Sequence, residues 1–186
     1  MKTHMPTKAL LLAIATMWIV YGLQYFIPLE QFGIVPRTFS GLIGIFAAPF
    51  LHANLLHLIA NTISLLLIGL VFFTVQGRKS FVISAEIIVI GGLLTWLIAR
   101  PDSIHIGASG YIYGLLGYAL FIGVFQRKLS NILFSSAFFF LYGGALWGLL
   151  PINPFVSWEG HVSGFVAGAL CAKFAGPERA TASRSD

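Results

Sequence analysis

Residues 55–75 read LLHLIANTISLLLIGLVFFTV and contain no Asp, Glu, Lys or Arg. The stretch has the roughly 20 residues that an α-helix needs to cross a bilayer. His57 and Asn61 lie one helical turn apart on the same face near its start. Polar side chains are costly inside hydrocarbon, so such a pair indicates either function or buried pairing. The stretch therefore predicts a membrane helix with a polar patch near one end.

Five further apolar stretches of similar length can be read along the chain, at residues 9–27, 81–99, 107–125, 132–150 and 158–175. Of the 186 residues, 58% are hydrophobic and 9% charged, whereas soluble domains carry roughly 25% charged residues. The sequence predicts an all-α membrane protein, with one six-helix transmembrane domain at residues 1–176. Residues 177–186 are polar and are predicted to form a short disordered cytoplasmic tail.

The basic residues indicate the orientation of the chain. Of the 11 Lys and Arg residues, only Arg37 and Arg100 fall in loops on one side of the predicted bundle. Because Lys and Arg collect in cytoplasmic loops, both termini are predicted to be cytoplasmic, in a multi-pass protein of the cell (inner) membrane. The net charge of +5 follows from this asymmetry and gives no support to nucleic-acid binding.

Three of the predicted helices carry polar side chains at one depth. Ser109 and Asn61 each lie 17 residues from the cytoplasmic end of their helix, and His161 lies 15 residues from its own. At 1.5 Å per residue these positions are about 22–26 Å above that end, just inside the outer surface of a core about 30 Å thick. His57 is one turn above Asn61. The four side chains are therefore expected to meet.

This combination predicts acyl-transfer chemistry. A serine hydroxyl becomes a good nucleophile when a base removes its proton, and His161 can be that base for Ser109. His57, Asn61 and the backbone N–H of Ser109 can donate hydrogen bonds to the oxyanion of the intermediate. No carboxylate is placed to orient His161, so the sequence predicts a catalytic dyad, with no metal and no cofactor.

Glycines are spaced for close packing of two of these helices. Gly110 and Gly114 form one Gly-x-x-x-Gly pair, and Gly164 and Gly168 form another. Small residues at this spacing let membrane helices approach closely, which would bring Ser109 and His161 together. Tyr113, one turn below Ser109, is expected to stack on the imidazole.

Three motifs together resemble the rhomboid family of intramembrane serine proteases. They are His52-Ala-Asn-Leu-Leu-His57-Leu-Ile-Ala-Asn61, Gly107-Ala108-Ser109-Gly110 with Tyr113 after it, and His161-Val-Ser-Gly164-Phe-Val-Ala-Gly168. The resemblance implies a six-helix rhomboid-like bundle of the compact bacterial form, open to water on the outer side. It implies a Ser109–His161 dyad, oxyanion donors at His57, Asn61 and the Ser109 amide, and a supporting role for His52.

The same resemblance implies that the substrates are single-span transmembrane proteins in the lipid bilayer, cut near its outer face where the helix is locally unstable. One position departs from the family. Its first loop often carries a Trp-Arg pair where this chain has Ile43 and Gly44. The nearest arginine is Arg37, and no role is carried over to the loop. The oligomeric state is left open.

Other functions fit the residues less well. A non-catalytic relative that binds membrane clients is the main alternative, but the serine and the histidine are both present. A transporter or channel predicts polar residues through the whole membrane depth, whereas here they cluster near one side. A metal enzyme is disfavoured because His52 and His57 are five residues apart, and two ligands on one helix face are four apart.

Overall fold

The computed structural model describes residues 4–153 and 156–175, and within them it contains no β-strand. The predicted tail at 177–186 lies outside the described residues. Six long helices account for most of the described residues: α1 (His4–Gln24), α2 (Leu55–Gln76), α3 (Lys79–Ile98), α4 (Ser109–Gln126), α5 (Leu129–Leu149) and α6 (Trp158–Phe174).

Five of these helices, α1 to α5, are long and apolar enough to cross a membrane; α6 has 17 residues. The fold class predicted from the sequence, an all-helical membrane bundle, is therefore confirmed. Helix α2 contains a π-helical turn at Leu65–Gly69, and α5 tightens into a 3₁₀-helix at Gly143–Leu149. Two carbonyl oxygens of this 3₁₀ segment bond to side chains of α4 and α6.

Helix α4 lies at the centre of the bundle, with half of its residues buried. It packs most extensively on α6. Glycines at the contact allow the backbones of the two helices to approach closely. A Cβ added to Gly164 would collide with the carbonyl oxygen of Gly110, and one added to Gly168 would collide with that of Gly114. The two Gly-x-x-x-Gly pairs therefore face each other, and the helix backbones touch where side chains would otherwise stand.

Contacts at the helix ends show that α2, α4 and α6 run in the same direction. The Gln126 amide at the end of α4 donates to the carbonyl oxygen of Ala175, just after α6 (2.9 Å). The end of α1 lies at the opposite side of the bundle, where Gln24 hydrogen-bonds to the backbone of His52 just before α2. Gly107, just before α4, lies against His57 and Asn61 in the first turns of α2. The starts of α2, α4 and α6 are therefore at one end of the molecule.

The long connection between α1 and α2 folds into short helical turns at Leu29–Phe32 and at 40–50. Arg37 anchors it. The Arg37 guanidinium donates to the carbonyl oxygens of Leu97 (2.9 Å) and Ala99 (2.8 Å), at the C-terminal end of α3. The Trp96 indole N–H returns a bond to the carbonyl oxygen of Thr38 (2.7 Å). A cation at a helix C-terminus is favourable because unpaired carbonyls concentrate negative charge there.

Candidate active site

A cavity of about 630 Å³ lies at the end of the bundle where α2, α4 and α6 begin. Its walls include all four side chains that the sequence predicts to meet: His57, Asn61, Ser109 and His161. Polar side chains from the first turns of three helices thus line the same cavity, because the three helices run in the same direction and begin at the same level.

Helix α2 starts with a side-chain cap that fixes its polar face. Asn54 accepts a hydrogen bond from the backbone N–H of His57 (2.9 Å), which satisfies one of the free amides of the first turn. Asn61 is buried, with 4% of its surface exposed. Among the described residues, its amide nitrogen has no hydrogen-bond partner. A buried donor without a partner is uncommon in folded proteins, and here it lies beside the cavity.

The buried His52 side chain packs against His57 on this face of α2. Its imidazole is fully buried and meets the His57 ring edge-on at 5.1 Å. Burial, and next the neighbouring His57, lower the pKa of His52 to about 4, so the ring is neutral at pH 7. Its backbone N–H and carbonyl are both bonded to the Gln24 side chain. His52 is not among the residues that line the cavity.

The segment before α4 turns sharply at Gly107, whose φ is +111°. Such a conformation is available to glycine and strained for other residues. A Cβ at Gly107 would lie 2.5 Å from Cε1 of His57 and 3.3 Å from the Asn61 amide nitrogen. The Gly107 backbone therefore rests directly against the α2 pair. Helix α4 begins two residues later with Ser109, and the first amides of a helix have no intrahelical partner.

His161 is oriented by a backbone carbonyl. Its Nδ1 lies 2.8 Å from the carbonyl oxygen of Gly148, in the 3₁₀ segment of α5. A carbonyl oxygen can only accept, so Nδ1 carries the proton and Nε2 of the neutral ring is left unprotonated. The sequence shows no carboxylate placed for this role, and the Gly148 carbonyl was not predicted from it. A backbone acceptor has no side-chain signature, so no sequence signal could have revealed it.

Tyr113 covers one face of the same imidazole. The two rings stack at 4.2 Å with an interplanar angle of 17°. The Tyr113 hydroxyl donates to the carbonyl oxygen of Ala145 (2.7 Å), in the same 3₁₀ segment that holds His161. A Cβ at Gly148 would collide with that hydroxyl. The end of α5 therefore holds both rings, and a glycine there makes room for them.

At one side of the cavity, polar contacts join the segment before α4 to the start of α6. Arg100 forms an ion pair with the buried Glu159 (3.2 Å) and donates to the carbonyl oxygen of Val156 (3.2 Å). His105, in the segment before α4, is buried, and its Nδ1 lies 2.6 Å from the Ser157 hydroxyl. Among the described residues, no three His, Cys, Asp or Glu side chains converge as metal ligands.

The chain is similar to proteins of one membrane family. The Rhomboid domain matches residues 40–178. An uncharacterised protein of Mycobacterium tuberculosis is 45% identical over 161 residues, which cover 81% of this chain and 67% of that protein. A Bacillus subtilis protein named as a candidate rhomboid protease is 31% identical over 121 residues, covering 64% of this chain and 60% of that one.

A eukaryotic protein shows a similar degree of likeness. The rhomboid-like protease 3 of Toxoplasma gondii is 32% identical over 123 residues, which cover 64% of this chain and 46% of that protein. The Rhomboid domain match contains the Ser109, His161, His57 and Asn61 positions that line the cavity.

Proposed function

Because this chain belongs to the rhomboid family, we propose that it is an intramembrane serine endopeptidase. It cuts the transmembrane segments of single-span membrane proteins near the outer face of the bilayer. The observation that carries the proposal is that Ser109, His161, His57 and Asn61 line one cavity at a single end of the bundle. The family and the relatives named as proteases support the reaction class.

In the proposed reaction, the Ser109 hydroxyl oxygen attacks the carbonyl carbon of the scissile peptide bond, and Nε2 of His161 takes its proton. The carbonyl oxygen becomes an oxyanion, which accepts hydrogen bonds from the Ser109 amide, the Asn61 amide nitrogen and His57. His161 then protonates the leaving nitrogen, and the carbon–nitrogen bond breaks. A water molecule, deprotonated by His161, releases the acyl group from Ser109.

The environment of His161 supports its role as the base. The Gly148 carbonyl holds the proton on Nδ1 and so leaves Nε2 as the acceptor. A positioned third group of this kind accompanies the base in serine hydrolases, where it fixes the tautomer and the ring orientation. Stacking on Tyr113 limits rotation of the ring in the same way. We therefore propose a Ser109–His161 dyad in which a backbone carbonyl replaces the acidic residue of a triad.

The proposed membrane arrangement has six spans, cytoplasmic termini and a site that opens to the outer side. Lys8 near the start of α1, Arg78 and Lys79 between α2 and α3, and Lys173 at the end of α6 support this orientation, because basic residues remain in the cytoplasm. Arg100 lies at the rim of the cavity, on the opposite side. Lipid and membrane-protein substrates are the partners that this arrangement implies.

Cleavage in proteoliposomes tests the proposed function. The protein is reconstituted with a tagged single-span reporter that carries Gly and Ala near the outer end of its span, and a reporter with an all-Leu span is the matched control. We expect a cut inside the Gly/Ala span, mapped by mass spectrometry, and no cut by Ser109→Ala. Equal cutting by Ser109→Ala would overturn the proposal, and reporter binding without cleavage would favour a non-catalytic client-binding protein.

A further inference from the structure

His105 is fixed at every polar atom it has. Its backbone N–H donates to the carbonyl oxygen of Ile34 (2.9 Å), and its own carbonyl accepts from the Ile34 N–H (3.0 Å). Its Nε2 contacts the Ser103 hydroxyl (2.8 Å), and its Nδ1 contacts the Ser157 hydroxyl (2.6 Å). Only 5% of the residue is exposed. Such complete engagement is unusual for a residue in a connecting segment, and it points to a positional requirement.

The direction of these bonds follows from the partners. Ser103 donates its one hydroxyl proton to the carbonyl oxygen of Arg100 (2.7 Å), so it can only accept from His105. Nε2 therefore carries the imidazole proton, and Nδ1 accepts from the Ser157 hydroxyl. Burial, as the main cause, lowers the pKa of His105; Glu159 raises it and Arg100 lowers it, so these two oppose each other. The neutral ring that this bonding pattern requires is thus the form present at pH 7.

Ser157 departs from the usual behaviour of a serine at its position. It is the N-cap residue of α6, where a serine hydroxyl ordinarily accepts from a first-turn amide, yet it makes no such bond. Its hydroxyl is turned to His105 instead, and Gly160 leaves room for it, since a Cβ there would lie 2.7 Å from the hydroxyl oxygen. Departures from local rules concentrate at functional sites.

The two partners hold equivalent places relative to the proposed dyad. His105 lies four residues before Ser109, and Ser157 lies four residues before His161, whose backbone N–H bonds to the Ser157 carbonyl (3.1 Å). We propose that His105 is a positioning residue, and that its bond to Ser157 sets the distance between the nucleophile segment and the base helix. This inference rests on the proposed serine-protease function and adds a residue to it.

Two substitutions of His105 each keep one of its two side-chain hydrogen bonds and remove the other. In His105→Asn, the side-chain oxygen can take the place of Nδ1 and keep the bond to Ser157, whereas in His105→Gln the amide nitrogen can take the place of Nε2 and keep the bond to Ser103. The readout is the second-order rate of labelling of Ser109 by a small fluorophosphonate, with the thermal midpoint measured on each purified variant. We expect His105→Gln and Ser157→Ala to slow labelling about tenfold or more. His105→Asn should stay within about threefold of the wild type.

A double variant and a remote control complete the test. If one bond carries the effect, His105→Gln combined with Ser157→Ala is no slower than either single variant. Ser135→Ala removes hydrogen bonds to Ala119 and Gly123 on the same helix as Ser109, but far from the cavity. It should lower the thermal midpoint and leave the labelling rate unchanged.

Equal rates for His105→Asn and His105→Gln, or losses that merely follow the thermal midpoint, would overturn the inference while the proposed function stands. Failure of the folded wild type to label would refute the proposed function itself, so the two failures are distinguishable.

Discussion

Nδ1 of His161 lies 2.8 Å from the carbonyl oxygen of Gly148, and this one contact ties the proposed base to the end of α5. Tyr113 is tied to the same segment through the carbonyl oxygen of Ala145. The orientation of the base therefore depends on a 3₁₀ turn in a helix that carries no catalytic side chain. A displacement of this turn would reorient the base, because both contacts are made to it.

Gly148→Ala should reduce activity through this contact. The added methyl group would collide with the Tyr113 hydroxyl and lie 3.6 Å from Nδ1 of His161. We expect reporter cleavage to fall between tenfold and a hundredfold, about the loss that a displacement near 1 Å produces. Gly144→Ala, in the same 3₁₀ segment, is the matched control because nothing lies within 4 Å of its added methyl group. Equal loss in both variants would contradict the role given to Gly148.

Gly107→Ala should abolish cleavage for reasons beyond backbone strain. Its φ of +111° makes an alanine strained, and the methyl group would press on the His57 ring. Gly77→Ala carries strain alone, with φ +53° and open space around the methyl group. Each substitution should cost about 1–3 kcal/mol of stability, measured by thermal unfolding. Only Gly107→Ala should remove cleavage; a similar loss in Gly77→Ala would show that strain alone explains it.

Asn61→Ala should separate activity from stability. Loss of an oxyanion donor costs about 10²–10³ in rate. The Asn61 amide nitrogen has no hydrogen-bond partner among the described residues. Because the substitution removes no hydrogen bond from this nitrogen, the thermal midpoint should be unchanged. Asn131→Ala loses a hydrogen bond to Gln126 (3.0 Å) at the far side of the bundle. It should lower the thermal midpoint and leave the rate of cleavage unchanged. A rate unchanged in Asn61→Ala would remove Asn61 from the oxyanion site.

Stability should fall on acidification because of His52. Its folded pKa of about 4 lies below the unfolded value near 6.5. Between these pH values the unfolded chain binds more protons, so the free energy of unfolding decreases as the pH is lowered through that window. Thermal midpoints measured from pH 7 to pH 4 should decline less steeply in His52→Gln than in the wild type. Parallel slopes would show that His52 is not protonated in this way.

The sequence predicted much of the fold because the length and apolarity of a membrane helix can be read from one continuous stretch of residues. Residues 55–75 already contain the length, the apolarity and the polar pair of α2, and the glycine pairs of α4 and α6 are visible as spacing. The shared depth of Ser109, Asn61 and His161 followed from helical rise alone. The 3₁₀ end of α5 was not predicted, because residues 143–149 are as apolar as a continuing helix.

The contacts that orient the site could not be predicted from the sequence, and the reason is a different one. The partner of His161 is a backbone carbonyl, which every residue possesses, and the partner of His105 lies 52 residues away. The anchor of the first loop is likewise Arg37 on the end of α3, at a position where local sequence gives no pairing signal. Local patterns identify which residues are costly to bury, whereas tertiary structure alone decides what satisfies them.

Labelling with a fluorophosphonate, followed by mapping of the adduct by mass spectrometry, tests the central claim most directly, since it needs no substrate. Wild type, Ser109→Ala and His161→Ala are compared in detergent after each is shown to be folded. We expect one adduct, on Ser109, formed as the serine oxygen displaces fluoride from the probe, and we expect it to be absent from both variants. An adduct on another serine, an adduct that survives His161→Ala, or no adduct on the folded wild type would contradict the central claim.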